Sequence, residues 1–274
     1  MPNPFPDGHF YSPIVNIEDI KQAQAKIWPS SPQVLGINFN DASHQHFLTQ
    51  EFPQYLKDYD YPLEKTADNR FFHNNPNFSW LDAKTLFVML RALKPRRLIE
   101  IGSGYSSLLT ADVNQRFLHR HLEFTCIEPY PADFLVAGVP GIQQLLPNKV
   151  EELPFSTFTQ LQAGDILFID SSHVAKTGSD VNTIYFDIIP RLAAGVIIHI
   201  HDIFLPTDYP KEWVIDEGRS WNEQYVLRAL LMFTNAFEVI FGCHYALLQH
   251  ADLLKTALNG ELYGGGSFWI KKIK

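Results

Sequence analysis

The stretch Arg97–Thr110, RLIEIGSGYSSLLT, decides how the rest of the chain is read. RLIEI is a short apolar run of strand type, Gly102 and Gly104 allow a tight turn, and SSLLTADVNQRFLHR continues at helical spacing. A strand running through a glycine turn into a helix is how doubly wound folds hold a nucleotide. Glu100, two residues before the first glycine, does not suit that use. A carboxylate there repels the pyrophosphate that would sit on the helix N-terminus, and Ser107 stands where a dinucleotide fingerprint needs its third glycine.

Working outward, strands and helices alternate. SWLDAKTLFVMLRAL (79–93) predicts a helix, LEFTCIEP (122–129) a strand and ADFLVAGV (132–139) a short helix. GIQQLLP (141–147) reads as a short strand, PFSTFTQL (154–161) as helix-like and DILFID (165–170) as a buried strand. GSDVNTIYFDIIPRL (178–192) and WNEQYVLRALLMFTNA (221–236) predict helices, with GVIIHIHDIF (195–204) a strand between them. FEVIFGCHYALLQ (237–249) and GGGSFWIKKI (264–273) read as two last strands joined only by a loop, a terminal hairpin. The expectation is an α/β, doubly wound, Rossmann-like sheet of seven mostly parallel strands with a C-terminal antiparallel edge strand. Residues 1–78, rich in proline and aromatics, predict an irregular N-terminal cap on a domain spanning 79–274. Within the cap, NIEDIKQAQAKIW (16–28) predicts a helix N-capped by Asn16, and FLTQEFPQYLKDY (47–59) one interrupted at Pro53.

Composition narrows the function. The 274 residues carry a formal net charge of −8 with no basic stripe, which argues against a nucleic-acid partner. Apolar runs are too short for a membrane span, and the N-terminus has no signal-peptide pattern. Two cysteines in apolar contexts, Cys126 and Cys243, suggest neither a disulfide framework nor a metal knuckle. A cytoplasmic enzyme of small molecules is the expectation, and its oligomeric state is not legible.

In doubly wound folds ligands bind at the carboxyl ends of the strands. Glu100, Glu128, Asp170, His201 and Asp202 each close a predicted strand. Glu100 suits a cationic ligand without a phosphate there, and S-adenosylmethionine, with its amine and sulfonium, fits. Glu128, about two dozen residues after the glycines, stands where an acid reads ribose hydroxyls.

Taken together, IEIGSGYSS (99–107), CIEPYP (126–131), GDILFIDSSH (164–173) and HDIF (201–204) resemble the class I S-adenosylmethionine-dependent methyltransferases, in a bacterial small-molecule O-methyltransferase-like branch. The resemblance covers roughly residues 79–274. It implies that Glu100, Gly102, Ser103, Gly104 and Tyr105 wrap the methionine portion, and that Glu128 takes the ribose with Pro129 and Tyr130 beside the adenosine. Val150 and Glu151 would lie near the adenine, and Asp170 beside the methionine amine or the acceptor. Some relatives hold a divalent metal such as Mg²⁺ or Mn²⁺ with acids at these strand ends. The matching set here is Asp170, His201 and Asp202, with a histidine where an acid would stand.

His173, three residues beyond Asp170, is the first candidate for a general base, with Asp170 and Asp202 completing the catalytic set. His199 reads as a core histidine within an apolar strand. Phe204, Tyr209 and Trp213 are expected to wall the acceptor site, and HFYSP (9–13) to close over it. Two other readings stay open: an NAD(P)-dependent oxidoreductase on the same architecture, and a non-catalytic partner module. Metal-assisted chemistry at the HxHD stretch stays open beside them.

Overall fold

The computed structural model describes residues 5–33, 35–67 and 71–274. Its seven strands are β1 (Arg97–Ile101), β2 (Glu123–Ile127), β3 (Gln144–Leu146), β4 (Ile166–Ile169), β5 (Ile197–Ile200), β6 (Phe237–Gly242) and β7 (Phe268–Lys272). They form one sheet in the order β3-β2-β1-β4-β5-β7-β6. Strands β1 to β5 pair in parallel, while β7 runs antiparallel to both β5 and β6. The expected antiparallel strand is therefore the C-terminal one, set one place in from the edge with β6 outermost. The connections reverse direction between β1 and β4, so the crevice for a ligand opens at their carboxyl ends.

Strands β4 and β5 are buried at every position, which is why they read as unbroken apolar runs. Alternate residues divide the core into two layers. Leu98, Phe124, Ile166, Phe168, Ile197 and Trp269 face one side, where the Trp80–Leu93 and Tyr105–Phe117 helices pack. Ile99, Leu167, Ile169, Ile198, Ile200 and Ile270 face the other, against the Glu223–Leu231 helix and the helical segment 180–191.

The run 237–249 departs from expectation. The strand stops at Gly242, and Cys243–Gln249 and Ala251–Ala257 are helices, so no simple hairpin joins the last two strands. Cys243 and Ala246 are the buried pair of the first helix, three apart, which is helical rather than strand spacing. The Gly242 N–H donates to His44 Nε2 at 2.8 Å, and a side chain at Gly242 would press within 2.9 Å of the Phe268 ring.

Pro53 also resolves unexpectedly. The chain stays helical through Pro53, with a wide π-type turn over Phe47–Glu51 just before the Phe52–Tyr55 helix. The same device, over Thr183–Ile188, precedes Pro190. A locally widened turn accommodates the missing N–H and the ring, so the helix bulges instead of stopping. The expected 16–28 helix divides at Ala23 into Ile17–Gln22 and Gln24–Ile27, and Asn16 caps it by accepting from the N–H groups of Glu18 and Asp19.

Phe47, Leu48, Phe52, Phe71 and Phe78 belong to the same buried layer as the Trp80–Leu93 helix, so the expected cap shares its core with the sheet. Parts of that segment, residues 1–4, 34 and 68–70, lie outside the described residues. No helix among the described residues is long and apolar enough to cross a membrane.

Phe52 is fully buried in this shared layer. Phe52→Ala is expected to destabilise the whole protein by about 3–5 kcal/mol, the cost of a large aromatic cavity. Urea unfolding measures it, with one cooperative transition retained if segment and sheet unfold as a unit.

Candidate active site

At the tip of β1 the chain turns through Gly102, whose φ is +79°. Its N–H donates to the carbonyl of Ile127 at 2.9 Å, and a Cβ there would lie 1.9 Å from the carbonyl oxygen of Asp170. Only glycine lets β1 and β4 end this close together. The Asp170 N–H donates to Ile101 and the His201 N–H to Ile169, so the tips of β1, β4 and β5 are tied in series.

A cleft of about 570 Å³ opens over these tips, lined by Gly102, Glu128, Pro129, Tyr130, Val150 and Glu151, with Asp170, Ser171 and Ser172 on its far wall. The Glu128 carboxylate is held ready by the N–H groups of Ser103 at 3.2 Å and Tyr130 at 2.9 Å. Gly104 starts the Tyr105–Phe117 helix and donates its N–H to Ser107 Oγ at 3.0 Å. Tyr105 is the first helical residue, its ring 5.7 Å from Phe72 and 5.9 Å from Phe134.

Glu100 is placed differently from the residues around the cleft. It is completely buried beneath the glycine turn, where Oε2 accepts from Ser107 Oγ and from Cys126 Sγ, and Oε1 has no partner. Burial pushes its pKa up to about 7, against the opposing effect of the Ser106, Ser107 and Cys126 contacts. It does not line the cleft.

A second cavity of about 980 Å³ lies across the Asp170–Ser172 wall, which both spaces share. Trp28, Trp80, Trp213 and Trp221, four of the chain's five tryptophans, line it with Phe204 and His244. On its polar side are Asp82, Asp170, His173, His201 and Asp202. His173 Nδ1 lies 2.8 Å from Glu223 Oε2, while Nε2 lies 3.3 Å from Asp170 and 3.5 Å from Asp202. His201 Nε2 lies 3.4 Å from Asp82, and its Nδ1 3.5 Å from Asp170 and 3.7 Å from Asp202. Asp82 in turn accepts from the N–H groups of Gly266 and Ser267.

These groups set one another's charge. Burial alone would depress His173, yet Asp170 and Glu223 prevail and push it up to about 10. His201 is likewise raised well above its ordinary value, with Asp202 and Asp170 overcoming burial. Both shifts favour the protonated rings, which runs against the free imidazole base expected of His173. The two aspartates diverge. Burial would raise Asp170, but His201 and His173 hold it below the usual carboxylate range. Asp202 is raised, chiefly by burial and further by Asp170, against the pull of His201. Pushing two neighbouring carboxyl groups apart in this way separates their chemical roles.

Among the expected metal-binding residues, Asp170 and Asp202 converge. Donor atoms of Asp170, His173 and Asp202 lie within 4.8 Å of one another, so the clustered histidine is His173, while His201 turns its Nε2 to Asp82. His199 is a core residue: its ring packs 4.0 Å from Phe168 and 4.4 Å from Trp269, and neither nitrogen has a hydrogen-bond partner. Phe204 and Trp213 wall the larger cavity as expected. Tyr209 is buried behind it, with its hydroxyl accepting from the Gln224 N–H at 2.9 Å. Residues 9–13 line neither space.

Sequence reasoning missed Asp82, Trp28, Trp80, Trp221 and Glu223, which come from segments far from β4 and β5. One signal was present in Gly264–Gly266. A Cβ at Gly265 would stand 2.5 Å from Asp82 Oδ1, and one at Gly266 2.9 Å from Asp202 Cα, so this glycine run is the close-packed back of the site.

Residues 99–203, which contain the glycine turn and the four strand-tip acids Glu100, Glu128, Asp170 and Asp202, match the family model described as a methyltransferase domain. An uncharacterised protein from Archaeoglobus fulgidus is 36% identical over 164 residues, 58% of this chain and 74% of the relative. Similar solved structures include the plantazolicin methyltransferase BpumL in complex with SAH, at 13% identity over 94% of this chain and 98% of that one with a TM-score of 0.42. The O-methyltransferase from Bacillus cereus in complex with SAH is similar at 13% identity over 94% and 100%, with a TM-score of 0.39. At that distance the two structures carry no weight, and the assignment rests on the matched domain. The motifs of that domain gather at the switch point of a doubly wound sheet, so the chain carries a methyltransferase domain over residues 99–203.

Proposed function

We propose that the cleft beside Gly102 and Glu128 holds S-adenosylmethionine, and that the tryptophan-lined cavity holds a small molecule methylated on a hydroxyl oxygen. The observation that carries this reading is the wall common to both spaces, Asp170–Ser172, across which donor and acceptor would meet. S-adenosylmethionine supplies the methyl group and its sulfonium the leaving group. The acceptor oxygen forms its bond to the methyl carbon as the carbon–sulfur bond breaks, and the hydroxyl proton must go to a base.

Asp202 is assigned that base. It lines the acceptor cavity, and its raised pKa makes it a better proton acceptor than Asp170. Positioned bases contribute roughly 10²–10⁴-fold. Asp170, kept ionised beside two cationic imidazoles, is assigned to the methionyl amine on one side of the wall and to holding His173 on the other. Glu128, held by two backbone N–H groups, is assigned to the ribose hydroxyls, with Pro129, Tyr130, Val150 and Glu151 around the adenosine. Ser103, Gly104 and Tyr105 form the turn over the methionine portion, and Glu100 supports that turn from beneath through Ser107.

A divalent cation is the second reading, favoured by the convergence of Asp170, His173 and Asp202. It would need His173 to lose the proton that Asp170 and Glu223 stabilise, and only two of its protein ligands would be the oxygens that Mg²⁺ prefers.

Calorimetry with S-adenosylhomocysteine, with and without Mg²⁺ or Mn²⁺, tests donor and metal together. Micromolar affinity supports the reading, and absence of binding in every condition refutes it. Labelled methyl donor with a panel of hydroxylated acceptors then tests transfer. Glu128→Ala should weaken S-adenosylhomocysteine by about 1–3 kcal/mol, the cost of unpaired ribose groups; equal affinity rejects the ribose assignment. Asp202→Asn should leave that affinity within about twofold while turnover falls roughly 10²–10⁴-fold. Because the folded pKa of His173 is raised from 6.5 to about 10, its stabilising contribution is complete below about pH 6.5 and lost as pH rises through 10. The melting-temperature gap between parent and His173→Gln should therefore shrink steadily from about pH 6 to about pH 10.

A further inference from the structure

We propose that Glu223, assisted by Trp221 and Asn222, is the positioning residue of the acceptor site, holding His173 by Nδ1 so that Nε2 alone faces Asp170 and Asp202. This rests on the reading that the tryptophan-lined cavity is where methyl transfer occurs.

Three consecutive residues grip the loop after β4 from three directions. The Trp221 ring lies 4.3 Å from the His173 ring with the planes 34° apart, covering one face. The N–H groups of Asn222 and Glu223 both donate to the His173 carbonyl, at 3.0 and 3.1 Å. The Asn222 side chain accepts from the Ala175 N–H at 2.6 Å and donates to the Ala175 carbonyl at 3.3 Å. The Glu223 carboxylate then takes the ring edge. Its Oε2 accepts from His173 Nδ1 and from Ser171 Oγ, both at 2.8 Å. An ionised carboxylate only accepts, so Nδ1 carries a proton.

Two features indicate that this grip does more than close a loop. His173 sits at φ +61°, a left-handed conformation that costs a non-glycine residue energy and is kept only where surrounding contacts enforce it. Glu223 is completely buried, where a carboxylate is expensive unless it has a specific partner. An apolar side chain of similar size would pack there at less cost, but it would leave Nδ1 without its acceptor. With the ring fixed, the single group presented to the boundary between donor and acceptor spaces is Nε2–H. A misplacement of about 1 Å at such a boundary can cost on the order of 10²-fold in rate.

The test uses the full chain and needs no acceptor. Proton and nitrogen spectra of the imidazoles, with His173 assigned through His173→Gln, should show in the parent a strongly downfield Nδ1 proton bound to a carboxylate. Glu223→Gln, which keeps the volume and removes the charge, should move that resonance upfield, and Glu223→Asp should restore it in part. Trp221→Leu should alter the ring-current shift of the same imidazole. S-adenosylhomocysteine affinity should change far less than kcat, because Glu223 does not itself line the donor cleft and reaches its wall only through Ser171 and His173. Once an acceptor is in hand, Glu223→Gln should lower kcat on the order of 10²-fold with KM little changed. An unchanged His173 resonance, or an unchanged kcat, in Glu223→Gln overturns the proposal. A parent that binds no S-adenosylhomocysteine sinks the methyl-transfer reading instead, and the imidazole spectrum still decides whether Glu223 holds His173.

Discussion

The close approach of Gly102 to the carbonyl of Asp170 is the constraint on which the site depends. Three strand tips meet there, and the absent Cβ lets the chain after β1 turn toward one space while the chain after β4 turns toward another. Any side chain at that point would push β1 and β4 apart and separate the two cavities. Their common wall exists because the strands end within a hydrogen bond of each other.

The electrostatics of the acceptor side follow from crowding rather than from any single pair. Asp82, Asp170, Asp202 and Glu223 surround two buried imidazoles, and carboxylates on both edges of each ring favour its protonated form. Without the rings, four acids at this depth would be costly; without the acids, so would two cations. The consequence bears on the proposed function: a histidine favoured as imidazolium suits a donor and an anchor, which is why the proposal gives proton acceptance to the aspartate whose pKa is raised.

The sheet and its switch point were legible because they depend on short-range pattern. Unbroken apolar runs marked β4 and β5, and glycines between a strand and a helix marked the turn. The failures had local causes too. CHYALLQ reads as strand because it follows FEVIFG without a break, yet its buried positions fall three apart. Pro53 was expected to interrupt a helix that the chain continues by widening one turn.

For the site, sequence determined which acids stand at strand ends, since strand boundaries and residue identity are local properties. It named Glu128, Asp170 and Asp202, which do line the two spaces. Tertiary structure decided what those residues face. It buried Glu100 under the turn, brought Glu223 against His173 across fifty residues of chain, and set Asp82 from the Trp80–Leu93 helix against His201. The charge state of His173 could not be read from IDSSH alone: Asp170 lies within that stretch, but burial and Glu223, fifty residues further on, also act on the ring and are set by the tertiary structure.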